Sequence, residues 1–267
     1  MNNLAEFRAF AETLAELARP IARRYFRSDL TVIDKPDATP VTLADMEIES
    51  AIRAEIARVY PSHGVLGEEH ESTNLGADWV WVIDPIDGTK AFTCGKPQFG
   101  TLIALTHHGE PVVGVVDQAI IGERWIGARG LGATFNGAPI RTKARAKTLT
   151  DAIVLTTSPD IFVGDNRTSF ERLKRACKGV YYGGDCYNFA LLAAGHVDLV
   201  VEAGLKTVDF AALVNPIIEA GGVCCDWRGE PLTLTSDGTI IAAANQALAD
   251  EVLAALAPSP AGGREFG

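Results

Sequence analysis

What this chain of 267 residues lacks narrows its identity quickly. Its five cysteines, Cys94, Cys177, Cys186, Cys224 and Cys225, are odd in number and contain no C-x-x-C pair. The vicinal Cys224 and Cys225 are geometrically poor for a bridge, so reduced thiols in a cytoplasm are expected. No apolar run is long and uninterrupted enough to span a bilayer, and no signal-type apolar region opens the chain. The expectation is therefore a cytoplasmic protein with no membrane partner.

Basic charge is scarce as well. Lys and Arg number 24 against 34 Asp and Glu, a formal net charge of −10. The single basic cluster, Arg141 to Lys147, reads as a solvated loop between two halves, so nucleic acid is not an expected partner. The five histidines, His63, His70, His107, His108 and His196, show no metal-ligand spacing and are expected on the surface or in loops. The glycine-rich "GARGLGATFNG" lacks the G-x-G-x-x-G order between strand and helix, which excludes a dinucleotide site. Ser158 lacks a G-x-S-x-G elbow, which argues against a serine hydrolase.

What is present suits a globular protein: 47% apolar, 22% charged and 7% aromatic residues. Apolar positions Leu4, Phe7, Phe10, Leu14, Leu17, Ile21 and Tyr25 recur at helical spacing, and Pro20 is expected to kink or split that helix. A second helix is expected after Thr42, with Asp45 three residues on as a capping-box partner and Pro61 beyond its end. Strands are expected at Trp79–Ile83, Gly100–Thr106, Val112–Gln118 and Glu123–Ala128, with a hairpin turn at Asn136-Gly137. Past Thr148, short strands alternate with helical segments. The expected organisation is residues 1–147 as an α+β subdomain, 148–257 as an α/β subdomain closing over it, and 258–267 as a flexible tail.

The chemistry concentrates in "WVWVIDPIDGTKAF", Trp79 to Phe92. A strand ending at Asp84, stopped by Pro85, would bring Asp87 back beside it with the Ile86 carbonyl between. Hard oxygen donors in that arrangement suit Mg²⁺. The N–H groups of Gly88 and Thr89 would then face an anion. Each neighbouring signal also has a plain structural reading. Glu68 and Glu69 in "GEEH" could be solvated charges, and Asp45 and Asp209 could be helix caps.

Together, "VTLAD", "GEE", "WVIDPIDGTKAF" and "VDFAA" closely resemble the inositol monophosphatase family of metal-dependent, lithium-sensitive phosphomonoesterases. The resemblance runs from the first helix to about Leu256. It implies a layered αβαβα sandwich of mixed α+β type, and commonly a homodimer. It implies two to three Mg²⁺ ions, one held by Glu68, Asp84 and the Ile86 carbonyl, another by Asp84, Asp87 and Asp209. Thr89 with Asp45, assisted from the Glu68 side, would orient and deprotonate the attacking water, while the Gly88 and Thr89 N–H groups hold phosphate. The family often has Trp before the late aspartate; here it is Val208.

For the organic half of the ester, "GKPQFGTLIAL" and "YYGGDCYNFALLAAGHVDLVVEAGLKTVDFAAL" look most like the histidinol-phosphatase branch. The implied reaction is hydrolysis of L-histidinol phosphate in histidine biosynthesis. Asp87, Asp185, Glu202 and Asp209 would surround a cationic leaving group; Asp185 reads equally as an N-cap for the helix after it, and the two roles are compatible. An inositol-1-phosphatase or a broad sugar-phosphate phosphatase is the alternative, and a catalytically silent anion binder a third.

Overall fold

The structure, a computed structural model, describes residues 4–28, 32–34 and 40–257. The expected tail, 258–267, lies outside the described residues. In chain order the first half holds α1 (Leu4–Tyr25), β1 (Val32–Asp34), β2 (Pro40–Thr42), α2 (Leu43–Val59), β3 (Gly64–Gly67) and β4 (Trp79–Asp87). It continues with α3 (Thr89–Thr93), β5 (Gly100–His107), β6 (Glu110–Gln118), β7 (Glu123–Ala128), β8 (Gly132–Phe135) and β9 (Ala138–Pro139). The second half holds β10 (Ile153–Thr156), α4 (Gly164–Ala176), β11 (Gly179–Tyr182), α5 (Asp185–Ala193) and β12 (Leu199–Glu202). It ends with α6 (Thr207–Glu219), β13 (Val223–Cys225), β14 (Ile240–Ala243) and α7 (Gln246–Leu256).

Two large sheets organise these elements. The seven-stranded sheet runs β3-β4-β5-β6-β7-β8-β9, antiparallel except for the parallel pair β3 and β4. The five-stranded sheet runs β11-β10-β12-β14-β13, parallel on the β10 side and antiparallel around β14. Strand side chains alternate between faces, so each sheet feeds two cores. Ile83, Ile103 and Val115 pack towards α1 and α2, whereas Val82, Leu102 and Val116 pack with Phe189 of α5 and Phe210 of α6. Val200 and Ala242 join that central core from the second sheet, and Leu199, Val201 and Ile241 pack on its other side with Phe170 of α4 and Leu248 of α7. The layers are therefore α, β, α, β, α, the sandwich expected.

Helix α6 shows how a central layer is made. Its residues from Phe210 to Ile217 are all buried, as a helix between two sheets requires. It can lie this close because Gly114 and Gly127 are cross-strand partners on β6 and β7. A Cβ on Gly114 would fall 2.2 Å from the Ala212 carbonyl oxygen, and one on Gly127 2.3 Å from that of Asn215. Pro216 has no N–H for the Ala212 carbonyl, which turns instead onto Gly114.

Pro20 does not split the first helix; α1 is continuous through it, with the proline on the exposed face, where water can serve the carbonyl that loses its helical donor. His63 lies in the loop between α2 and β3, as expected, and is half-buried there. It stacks on Tyr60, accepts a hydrogen bond at Nδ1 from Trp81 Nε1 at 3.1 Å, and joins an aromatic cluster with Phe7 and Trp79. The α2 capping box and the Asn136-Gly137 turn are as expected, the latter with both residues at positive φ between β8 and β9. All five cysteines are free, with Cys224 and Cys225 buried in β13.

Candidate metal centre

The strand carrying the aspartates does not stop at Asp84, as expected from Pro85. β4 runs on to Asp87 through a bulge: Asp84 pairs with Leu102 and Asp87 with Gly100, two residues facing one between them. Pro85 is tolerated because the bulge asks no ladder N–H of it. Thr101 Oγ1 fixes the bulge by donating to the Pro85 carbonyl at 2.8 Å, and the Ile86 N–H donates to Asp84 Oδ1 at 3.0 Å. Ile86 is itself fully buried, which pins the turn from below.

Three elements deliver the acids to one place. Gly67 pairs with Ile83 in the parallel β3–β4 ladder, so Glu68 leaves β3 level with Asp84. Asp209 sits in the first turn of α6, where its Oδ2 accepts from the Lys206 N–H at 2.7 Å. It is thus both the helix-cap partner of its plain reading and a member of the acidic cluster. Asp84, Asp87 and Asp209 each offer a carboxylate oxygen within 4.8 Å of the others. They line a cleft of about 740 Å³ together with Glu68, Asp185 and Glu202.

The electrostatics are those of a site short of positive charge. Burial first, then the charges of Glu68, Asp87 and Asp209, hold the Asp84 carboxyl well above its ordinary range. Burial, then Asp185 and Asp209, do the same to Asp87. Burial lifts Asp209 to about 6, against the opposing Lys206 N–H. Three converging carboxylates disfavoured as anions are a donor set that a divalent cation relieves, and all-oxygen donors fit Mg²⁺.

Around this cluster the expected residues take definite places. Gly88, at φ 88°, caps the short α3, and Thr89 begins it, its Oγ1 donating to the Ile86 carbonyl at 3.1 Å. Asp45 is buried on α2, its Oδ2 accepting from both the N–H and Oγ1 of Thr42 at 2.8 and 2.7 Å, and burial raises it to about 6. Glu202 closes β12, its Oε1 held by the N–H and Oγ1 of Thr157. The Thr156 side chain also lies beside this carboxylate, and burial raises the group to about 7. Asp185 is not the N-cap of α5; Gly184 is, and Asp185 follows at φ 42°, a left-handed conformation that carries strain for a residue with a side chain. Burial lifts it to about 6, with Lys90 opposing.

Some of the site was not anticipated. The Cys186 N–H donates to Asp87 Oδ2 at 2.6 Å, and Lys206 Nζ lies 3.5 Å from Glu68 Oε1. A backbone donor carries no residue-type signal, and Lys206 stands out only after Asp209 is placed. Among the described residues no helix is long and apolar enough to cross a membrane.

Comparison with known proteins identifies the family. The profile of the inositol monophosphatase family matches residues 3–260. The bifunctional phosphatase IMPL2, chloroplastic, of Arabidopsis thaliana is 44% identical over 241 residues, 90% of this chain and 69% of that protein. The histidinol-phosphatase of Chlorobaculum parvum is 35% identical over 244 residues, 91% of this chain and 93% of its own. A solved inositol monophosphatase from Zymomonas mobilis superposes with a TM-score of 0.87 at 42% identity, covering 96% of this chain and 99% of that one. The chain belongs to the inositol monophosphatase family and is a phosphoric monoester hydrolase.

Proposed function

We propose that the chain hydrolyses L-histidinol phosphate in a Mg²⁺-dependent reaction with two to three ions, and so serves histidine biosynthesis. The observation that carries the substrate is a second acidic set, Asp185 and Glu202, in the same cleft as the metal-site carboxylates. A leaving alcohol that bears an ammonium or imidazolium group is what such oxygens suit. Similarity to proteins named histidinol-phosphatase supports this reading. The likeness to the Zymomonas inositol monophosphatase supports the second reading, an inositol or sugar phosphate.

In this reading Glu68, Asp84 and the Ile86 carbonyl hold one ion, and Asp84, Asp87 and Asp209 the other. Bound Mg²⁺ supplies charge neutralisation of the phosphate dianion and acidifies the attacking water. The Gly88 and Thr89 N–H groups hold the phosphate oxygens. Thr89 Oγ1 releases the Ile86 carbonyl, receives the water's hydrogen bond and passes its own proton towards Asp45, whose raised carboxyl is matched to neutral pH. Asp87 and Asp209 face the ester beside Asp185 and Glu202. The same proposal divides the chain into subdomains 1–147 and 148–257 with the cleft between them, and makes it a cytoplasmic homodimer, a state that light scattering measures.

The deciding experiment measures phosphate release from histidinol phosphate and inositol 1-phosphate, with Mg²⁺ and with chelator. A preference for inositol 1-phosphate overturns the first reading in favour of the second. Turnover unaffected by chelator overturns the metal mechanism.

A further inference from the structure

On α2, outside the residues that line the cleft, lies a carboxylate that none of this chemistry uses. Glu49 follows Asp45 by one helical turn and its side chain is fully buried. Its Oε1 accepts from Arg53 Nε at 2.6 Å and from the His70 N–H at 3.2 Å, and its Oε2 accepts from the Glu69 N–H at 2.7 Å. Arg53 in turn donates through Nη2 to the His70 carbonyl at 3.2 Å. The segment after β3 is thus held to α2 through two N–H groups and one carbonyl.

Gly67 gives an independent view of the same contact. A Cβ there would fall 2.0 Å from Glu49 Oε1 and 2.7 Å from Arg53 Nη2. Gly67 is not among the glycines at positive φ, so no backbone conformation demands it. What demands it is the carboxylate, which fills the volume a side chain would take.

We infer that Glu49 is a positioning residue for the metal centre: by pinning the backbone on the far side of Glu68 it fixes that carboxylate against Asp84 and sets divalent-metal affinity. The inference rests on Glu68 being a metal ligand, as proposed above. Gly67, before Glu68, is fixed by its ladder pairing with Ile83, and Glu69, after it, by Glu49. Lys206, at the end of a flexible side chain, attracts Glu68 but cannot orient it. Ordering a buried carboxylate, its arginine and two backbone donors within a turn of Asp45 costs conformational freedom. A rigid ligand is the compensating gain, since outer-shell partners that orient ligands are commonly worth ten- to hundredfold in metal affinity.

The test is Mn²⁺ binding to metal-free protein by EPR, with Mg²⁺ activation curves and thermal unfolding, on Glu49→Gln, Gly67→Ala and Glu68→Gln. Gln keeps the volume of Glu49 but must aim an NH₂ at one of three donors. Gly67→Ala displaces the clamp from the loop side, and carries the same expectation where Glu49→Gln does not fold. The expected result is that both variants bind Mn²⁺ about tenfold or more weakly and need correspondingly more Mg²⁺, with turnover largely recovered at saturation. Lowered unfolding temperatures with Mn²⁺ affinity and half-activating Mg²⁺ unchanged would overturn the inference and leave Glu49 a structural anchor. Unchanged Mn²⁺ affinity in Glu68→Gln would instead overturn the ligand assignment beneath it.

Discussion

The N–H of Cys186 donates to Asp87 Oδ2 at 2.6 Å, joining the start of α5 to the end of β4 across 99 positions of sequence. One carboxylate is therefore both a seam between the two sheets' elements and a member of the acidic cluster. Among the described residues, the hydrogen bond of its neighbour Asp84 is local, from the Ile86 N–H two positions on. That difference separates what each aspartate does for stability from what it does for turnover.

Replacing Asp84 by Asn is expected to abolish turnover and to raise the melting temperature of the metal-free protein. Asn can still accept from the Ile86 N–H, while the charge that burial and Glu68, Asp87 and Asp209 oppose is gone. Each kcal/mol of relief corresponds to ~2–4 °C in a domain of this size class. Scanning calorimetry with chelator and a phosphate-release assay check the two halves. Near-normal turnover would remove Asp84 from its bridging role, and a lower melting temperature would make it an anchor.

Stability of the metal-free protein should fall as pH rises from about 5 to about 7. Unfolded carboxyls titrate near pH ~4, whereas burial raises Asp45, Asp185 and Asp209 to about 6 and Glu202 to about 7. In that window the folded state binds more protons than the unfolded one, so the derivative of stability with pH is negative. His63, whose pKa burial lowers, opposes this as a single group. Mg²⁺ should reverse the trend, because it binds the deprotonated carboxylates. Melting temperatures at pH 5.5 and 8, with chelator and with Mg²⁺, measure both slopes; a metal-free melting temperature that climbs with pH would refute the burial argument.

Gly127→Ala is expected to cost about 1–3 kcal/mol of stability, by overpacking. Its Cβ would meet the Asn215 carbonyl at 2.3 Å, forcing α6 off the sheet and moving Asp209 with it. Chemical denaturation measures the loss, and Mg²⁺ affinity should weaken in parallel. Unchanged stability would mean that α6 does not depend on the paired glycines for its seat.

Much of this site was legible before the structure because its chemistry needs residue types that stand out. Asp84, Asp87 and Asp209 are charges in apolar surroundings, and Thr42 with Asp45 follows capping rules that act over three residues. The bulge at Pro85 was not legible, since it depends on the register of β5 against β4. Nor was the Cys186 tie, made by a backbone group whose partner is fixed only when α5 meets β4. That α1 runs unbroken through Pro20 was not legible either, because it depends on which face of α1 the proline occupies, and that is settled by packing against the first sheet.

Asp185 carries the remaining question of which ester the cleft prefers. Its φ of 42° is a cost that a capping role does not explain, because Gly184 caps α5. The conformation places its carboxylate in the cleft with Glu202, which repels it and takes part in the same acidic set. If that set receives the cationic end of histidinol phosphate, Asp185→Asn removes a charge-assisted hydrogen bond of about 1.5–3 kcal/mol. The specificity constant for histidinol phosphate should then drop roughly ten- to hundredfold. For inositol 1-phosphate, with a neutral polyhydroxylated leaving group, an amide can donate as well as accept, and the loss should be no more than a few-fold. Equal losses on both esters would place Asp185 at the phosphate or the metal site, through its influence on Asp87, and would withdraw it as the residue that selects the leaving group.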